Sequence, residues 1–280
     1  MTIPQALSET HKRWIQAKSP AQLPMTWDPN QWISRFEEHR DFLTALAAEP
    51  LDRNAVAKLG IGVDSETKAI ELFLASMIWG FGTAGYGPFR TRRILDSADA
   101  GTNLLKVAQI ATETGGLDAY RHVAKIRATN NNYLKFLGPA FGTKFIYFAQ
   151  KASNPDSATP IMDAVIRRWF AAYTPDTRLI LHKWDLDSYK TYVELLASWA
   201  ENLALGSRLS LDQVEYLIFA GPNRNWSIPA DPEPELSVVE LVDRLKAYAE
   251  SDESINAEAT KLLDEVERLL APNTDTSAIA

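Results

Sequence analysis

The chain has 280 residues, 46% hydrophobic and 23% charged, and carries a net charge of −7. That balance suits a soluble globular protein with room for a large core, in one domain or two lobes. There is no cysteine, which excludes disulfides, thiolate catalysis and cysteine-ligated zinc or iron–sulfur sites.

The four histidines, His11, His39, His122 and His182, are scattered without an i, i+4 pair, so no metal site is expected. No apolar run approaches the about 18 residues of a membrane span, and the N-terminus lacks the basic and apolar regions of a signal peptide. A cytoplasmic protein is therefore expected. The acidic balance also argues against a surface that binds DNA everywhere. Its distribution differs: from Phe81 to Phe170, twelve lysines and arginines face six acids, leaving +6 there and −13 over the remainder. A basic centre in an acidic chain suits a localised polyanion site, although chance clustering on solvated faces gives the same count.

In chain order, residues 1–60 read as short helices at Glu9–Gln16, Asn30–Ala48 and near Asp52–Leu59. Trp32, Phe36, Leu43 and Leu46 share one face of the second. Asp64 or Ser65 caps a helix through Trp79 whose apolar stripe holds Ile70, Phe73, Leu74, Met77 and Ile78. Gly80, Gly82 and Gly85 then spell G-x-G-x-x-G. The run before them has helical period and no βαβ unit surrounds it, so a dinucleotide site is rejected. Residues 90–128 predict amphipathic helix broken at Gly101 and at Gly115-Gly116. From Tyr133 the pattern gives a helix, a Gly138-Pro139 hairpin and a second helix with Lys144 in its first turn, then a polar linker. Asp163 opens a third helix.

After a loop with Pro175 come a helix at Asp187–Leu205 and a shorter one at Ser210–Ala220, where Ser210 and Gln213 form a capping box. Gly221–Glu235 is proline-rich. Two amphipathic helices near Ser237–Ala249 and Ile255–Leu270 precede a polar tail expected to be disordered. With no strand or repeat in the pattern, the predicted class is all-α.

Leu137, Gly138, Gly142, Thr143 and Lys144, with Asp163 nineteen residues after the lysine and Pro160 upstream, carry a resemblance. They resemble the helix-hairpin-helix DNA glycosylase superfamily, most closely its 8-oxoguanine DNA glycosylase branch. That branch places an L-x-G-x-G-T-K hairpin ahead of a P-x-D segment. Here the glycines are four apart rather than two, Met162 is an extra residue, and Val165 stands where the family has histidine.

The resemblance implies a two-lobed helical fold. Residues 1–85 with 171–280 would form one lobe, and 86–170 the lobe that carries the hairpin. It also implies a monomer that repairs DNA at the nucleoid, without cofactor or iron–sulfur cluster, acting on duplex DNA with a modified base. The base would be flipped out and removed by Lys144 through a Schiff base, with Asp163 as electrostatic partner. A lysine there further implies strand nicking by β-elimination (AP lyase). Gly138, Gly142 and Thr143 would meet phosphates, with Lys135, Arg167 and Arg168 as point charges. Tyr86 or Phe89 would wedge into the base stack, and Phe148, Glu215 and Phe219 would hold the base.

Glu215 replaces the family's glutamine, which leaves two bases open: an oxidised guanine, or a bulky modified cytosine of viral DNA removed in defence. A third reading is a non-catalytic helix-hairpin-helix protein that binds DNA or bridges partners. Taken singly, a lysine in a first helical turn is an ordinary solvated side chain, and an aspartate before an apolar run an ordinary N-cap. Their joint spacing favours a catalytic pair.

Overall fold

The computed structural model describes residues 2–155, 158–203, 209–221 and 224. The described residues belong to one compact unit. The expected helices at 237–270, the tail and nearly all of the proline-rich stretch lie outside the described residues. Twelve α-helices are described and no strand; one isolated β-bridge joins Met25 to Leu51. The class is all-α.

The helices are α1 (Gln5–Gln16), α2 (Pro29–Arg35), α3 (Arg40–Ala47), α4 (Arg53–Lys58), α5 (Glu66–Phe81) and α6 (Gly87–Leu95). They continue as α7 (Ala100–Glu113), α8 (Gly116–Arg127), α9 (Pro139–Ser153), α10 (Ala164–Tyr173), α11 (Leu186–Leu203) and α12 (Leu211–Ala220). Helix α5 is apolar almost all round and buries Leu72 through Trp79. It packs with α7 and α9 to form the centre, as a helix without a polar face must. Ser65 caps its start, and Ser210 with Gln213 forms the expected capping box on α12.

Four expectations need correction. The helix expected over Asn30–Ala48 is interrupted at Phe36, where a non-helical backbone (φ −130°, ψ 58°) and a 3-10 turn separate α2 from α3. That turn lets Trp32, Phe36 and Leu43 enter one core. Gly101 lies inside α7 and breaks nothing; it leaves room for Glu66, whose carboxylate would lie 2.8 Å from an added Cβ. The true break is at Asp96–Asp99, while Gly115, at φ 108°, does separate α7 from α8.

The hairpin also differs. Residues after Asn130 are turns rather than a helix, and Leu134 and Phe136 take left-handed φ of 46° and 71°. Such φ values are costly without glycine. Both side chains gain from it: Leu134 is buried, and Phe136 packs on the core. The paired helices are therefore α8 and α9. Because α9 starts at Pro139, Lys144 falls in its second turn and not its first.

Candidate active site

Helix α9 carries Lys144 inward, and the residue is only 6% exposed. Its stem crosses α5 at Gly80, where an added Cβ would lie 2.8 Å from Lys144 Cδ and 2.9 Å from the Phe141 ring. The Phe141 ring centroid is 5.4 Å from Nζ. Nζ donates to Asp163 Oδ2 at 2.8 Å, inside the protein.

Asp163 reaches that amine as the N-cap of α10. Its Oδ1 accepts from the Val165 and Ile166 N–H groups at 3.0 and 3.2 Å, leaving Oδ2 for the lysine. Burial pushes this carboxyl up. The Lys144 ammonium and the N–H groups of Ile166 and Val165 outweigh it, holding Asp163 below the ordinary carboxylate range.

The segment before Asp163 is pinned from two sides. Thr143 Oγ1 accepts from Met162 N–H at 3.1 Å, while Tyr189 and Tyr192 of α11 donate to the carbonyls of Pro160 at 2.8 Å and Ile161 at 2.7 Å. Reading the sequence missed the positioning work of Gly80, Tyr189 and Tyr192. The tyrosines left a weak signal, since hydroxyls on an apolar helix face need partners when buried.

Several residues expected at DNA have other places. Thr143 is fully buried and serves Asp163's segment instead of a phosphate. Gly142 N–H is used within the helix, donating to Gly138 O at 2.9 Å. A Cβ on Gly142 would collide with Trp184, whose indole N–H donates to Leu137 O at 3.0 Å. Gly142 is thus a packing glycine at the foot of α9. Gly138 caps α9 with open space around it and no side-chain hydrogen bond at the cap. Lys135, Arg167 and Arg168 are exposed.

The residues expected to hold a base are enclosed. Phe148 has no exposed surface and packs edge-on against Trp79 at 5.2 Å; Phe219 is half-buried against the core. Glu215 is 1% exposed and gripped by Arg53, with Nη1–Oε2 at 2.6 Å and Nη2–Oε1 at 3.2 Å. Arg53 itself lies over the rings of Trp79 and Tyr147, at 5.2 and 5.3 Å. Burial pushes the Glu215 carboxyl up, against the pull of Arg53 and with a further push from Asp163 and Asp212. The Lys144–Asp163 and Arg53–Glu215 pairs are therefore electrostatic neighbours.

A run of rings and cations leads from Lys144 to the surface. Phe141 stacks on Phe81 at 4.1 Å, Phe81 meets Tyr86 at 5.3 Å, and Arg90 lies over Phe141 at 6.0 Å. Farther out, Arg93 lies over Phe136 at 3.9 Å and Phe89 at 5.9 Å, and Arg35 covers Phe89 at 5.6 Å. Tyr86 and Phe89 are 41% and 46% exposed, an unusual display for large rings. Guanidinium groups interleaved with rings are a surface suited to phosphates and unstacked bases.

A family model described as "Putative 8-oxoguanine DNA glycosylase OGG-like protein" matches residues 18–219. The chain belongs to this family. No curated protein and no solved structure matches the chain. The span matched by the OGG-like family model contains both buried ion pairs and the exposed rings. Among the described residues no helix is long and apolar enough to cross a membrane, and no group of three His, Asp or Glu side chains could hold a metal.

Proposed function

We propose that this OGG-like protein is a DNA glycosylase with AP-lyase activity that removes a modified base, an oxidised guanine such as 8-oxoguanine, from duplex DNA. The observation that carries the reading is the buried contact of 2.8 Å between Lys144 Nζ and Asp163 Oδ2, with Asp163 held rigidly as a cap. A buried lysine–carboxylate pair is expensive as mere scaffolding, because hydrophobic side chains in its place are often neutral or stabilising.

Tyr86 or Phe89 fills the gap left as the nucleotide flips out, which costs a few kcal/mol. Phosphates rest on the open N-terminus of α9 and on Lys135, Arg167 and Arg168. The Lys144 amine, as free base, attacks C1′ while the bond from C1′ to the base nitrogen breaks. Asp163 stabilises the cationic sugar and takes up the proton shed by the amine, then relays it to the base, which leaves with the electron pair of the broken bond. The nitrogen lone pair then opens the C1′–O4′ bond as O4′ takes a proton from water, which gives the iminium and a free hydroxyl. Loss of a 2′ proton then expels the 3′ phosphate and nicks the strand.

The test is borohydride trapping on a duplex with one 8-oxoguanine opposite cytosine, using wild type and Lys144→Gln. Wild type is expected to give a covalent adduct, and Lys144→Gln to lower it by on the order of 10³-fold or more. A wild type that binds duplexes bearing abasic sites, oxidised guanine and modified cytosine, yet traps none, would be a DNA-binding module and would overturn the proposal.

A further inference from the structure

Outside the rings that lead to Lys144, cations and aromatic rings alternate along the surface. They are Arg35 of α2, Phe89 and Arg93 of α6, and Phe136 and Lys135 of the turn before α9. Arg35, Arg93 and Phe136 have no part in the chemistry above. One guanidinium joins the two rings, since the Arg93 Cζ lies 5.9 Å from the Phe89 centroid and 3.9 Å from that of Phe136. Arg35 and Lys135 close the ends, at 5.6 Å from Phe89 and 5.2 Å from Phe136. Neither Arg35 nor Lys135 is in an ion pair among the described residues, and Glu38, close to Arg35 in sequence, is already held by Arg92 at 2.7 Å.

The turn that presents Phe136 is braced. Its φ of 71° is one that a ring-bearing residue rarely adopts, and such a conformation persists only where its surroundings enforce it. Arg127 Nη1 donates to the carbonyls of Asn131 at 2.6 Å and Tyr133 at 3.3 Å, while the Tyr133 hydroxyl meets the His122 ring at 3.1 Å. Trp184 fixes the far end through the Leu137 carbonyl. Phe136 is thereby held half-buried at the surface, and Phe89 is exposed.

Fully paired DNA has no partner for so many rings. A flipped nucleotide leaves one gap in the stack, and one ring fills it. Tyr86, Phe89 and Phe136 are three. Along an intact duplex the surplus rings would face sugars and phosphates, whose desolvation is unfavourable. Unpaired bases offer their faces instead, and each base stacked on a protein ring is worth roughly 5- to 150-fold in affinity. Guanidinium groups add a second stacking plane and charge for the phosphates. We infer that Phe89, Arg93 and Phe136 form a stacking platform for unpaired nucleotides beside the excised one, with Arg35 and Lys135 at its ends for the phosphates. The inference rests on the glycosylase reading and narrows its substrate class to a modified base in locally melted DNA.

The experiment uses the full chain and one duplex sequence in four forms: fully paired or with mismatched flanks, each with and without 8-oxoguanine opposite cytosine. Equilibrium binding and borohydride trapping are both read. With the lesion or without it, the mismatched form is expected to bind about ten-fold or more tighter than the paired one. Phe136→Ala and Arg93→Gln, checked for native melting, are expected to bring that ratio toward one. Arg93→Gln changes a partly exposed side chain, so it decides the question if Phe136→Ala fails to fold.

Equal binding of paired and mismatched forms overturns the inference, and an adduct on the paired lesion then leaves the glycosylase reading standing. A preference that the folded variants retain in full also overturns it, because mismatches by themselves ease the extrusion of a base. A preference lost in the variants, with no adduct on either lesion duplex, keeps the platform and overturns excision of 8-oxoguanine. Neither preference nor adduct removes both.

Discussion

Two buried ion pairs that feel each other's charge are built differently in this protein. Arg53 meets Glu215 through two hydrogen bonds, with its guanidinium over two aromatic rings. Arginine does not lose its proton in proteins, and its planar fork fixes one geometry, so this pair is a lock. Lys144 meets Asp163 through one contact, on a flexible stem that runs past a glycine. A lysine amine can be freed as a nucleophile, and its single bond can be exchanged for a substrate atom. Under the proposed function, the difference separates a group that holds shape from one that would react.

The sharpest way to break that distinction is to remove each cation. Arg53→Met strands Glu215, a buried carboxylate, and is expected to cost about 3–5 kcal/mol in urea unfolding. The double variant Arg53→Met with Glu215→Leu should recover most of that loss. Lys144→Met is expected to cost less, about 1–3 kcal/mol, because Asp163 keeps both cap hydrogen bonds at Oδ1. If Lys144→Met proves the more damaging of the two, the assignment of lock and reactive group is wrong.

Gly80→Ala addresses positioning without removing any charge. The new Cβ would crowd Lys144 Cδ at 2.8 Å and Phe141 at 2.9 Å, shifting the amine while leaving its partner in place. A displacement near 1 Å can cost about 100-fold in rate. Single-turnover excision should fall roughly 10- to 100-fold, with affinity for an abasic duplex nearly unchanged. A rate within a factor of two of wild type would mean that Gly80 serves packing alone.

These pairs also show what could be read from the chain. Lys144 and Asp163 were legible because a helix start, a turn and an N-cap are local, and a fixed spacing between local features survives in sequence. Helix class and the α12 capping box were legible for the same reason. Arg53 was not: it meets Glu215 across 162 residues, and nothing within either helix announces the pairing. Thr143 and Gly142 were assigned to phosphates because their motif sits at a hairpin. The left-handed turn at Leu134 and Phe136 starts α9 earlier and turns both residues into the interior, a consequence of backbone geometry that spacing does not encode. Phe148 looked like a pocket wall, but α5 supplies Trp79 to cover it.

The smallest effect expected is the pH dependence of stability, and it has opposite signs at the two pairs. Asp163 is held below its unfolded value, so between its folded pKa and about 3.9 the unfolded chain binds more protons. The stability contributed by Asp163 is therefore complete above that upper bound and lost as pH falls through the folded value. Glu215 is pushed above its unfolded value of about 4.3, so over the window just above that value the folded chain binds more protons. Its contribution falls as pH rises through that window. Urea melts from pH 3 to 7 on wild type, Asp163→Asn and Glu215→Gln would separate the two. The difference between wild type and Asp163→Asn should shrink on acidification, and that between wild type and Glu215→Gln should shift the other way. Parallel slopes for the two variants would mean that both carboxylates are held in the same way, and would remove the electrostatic basis for treating one pair as reactive and the other as a lock.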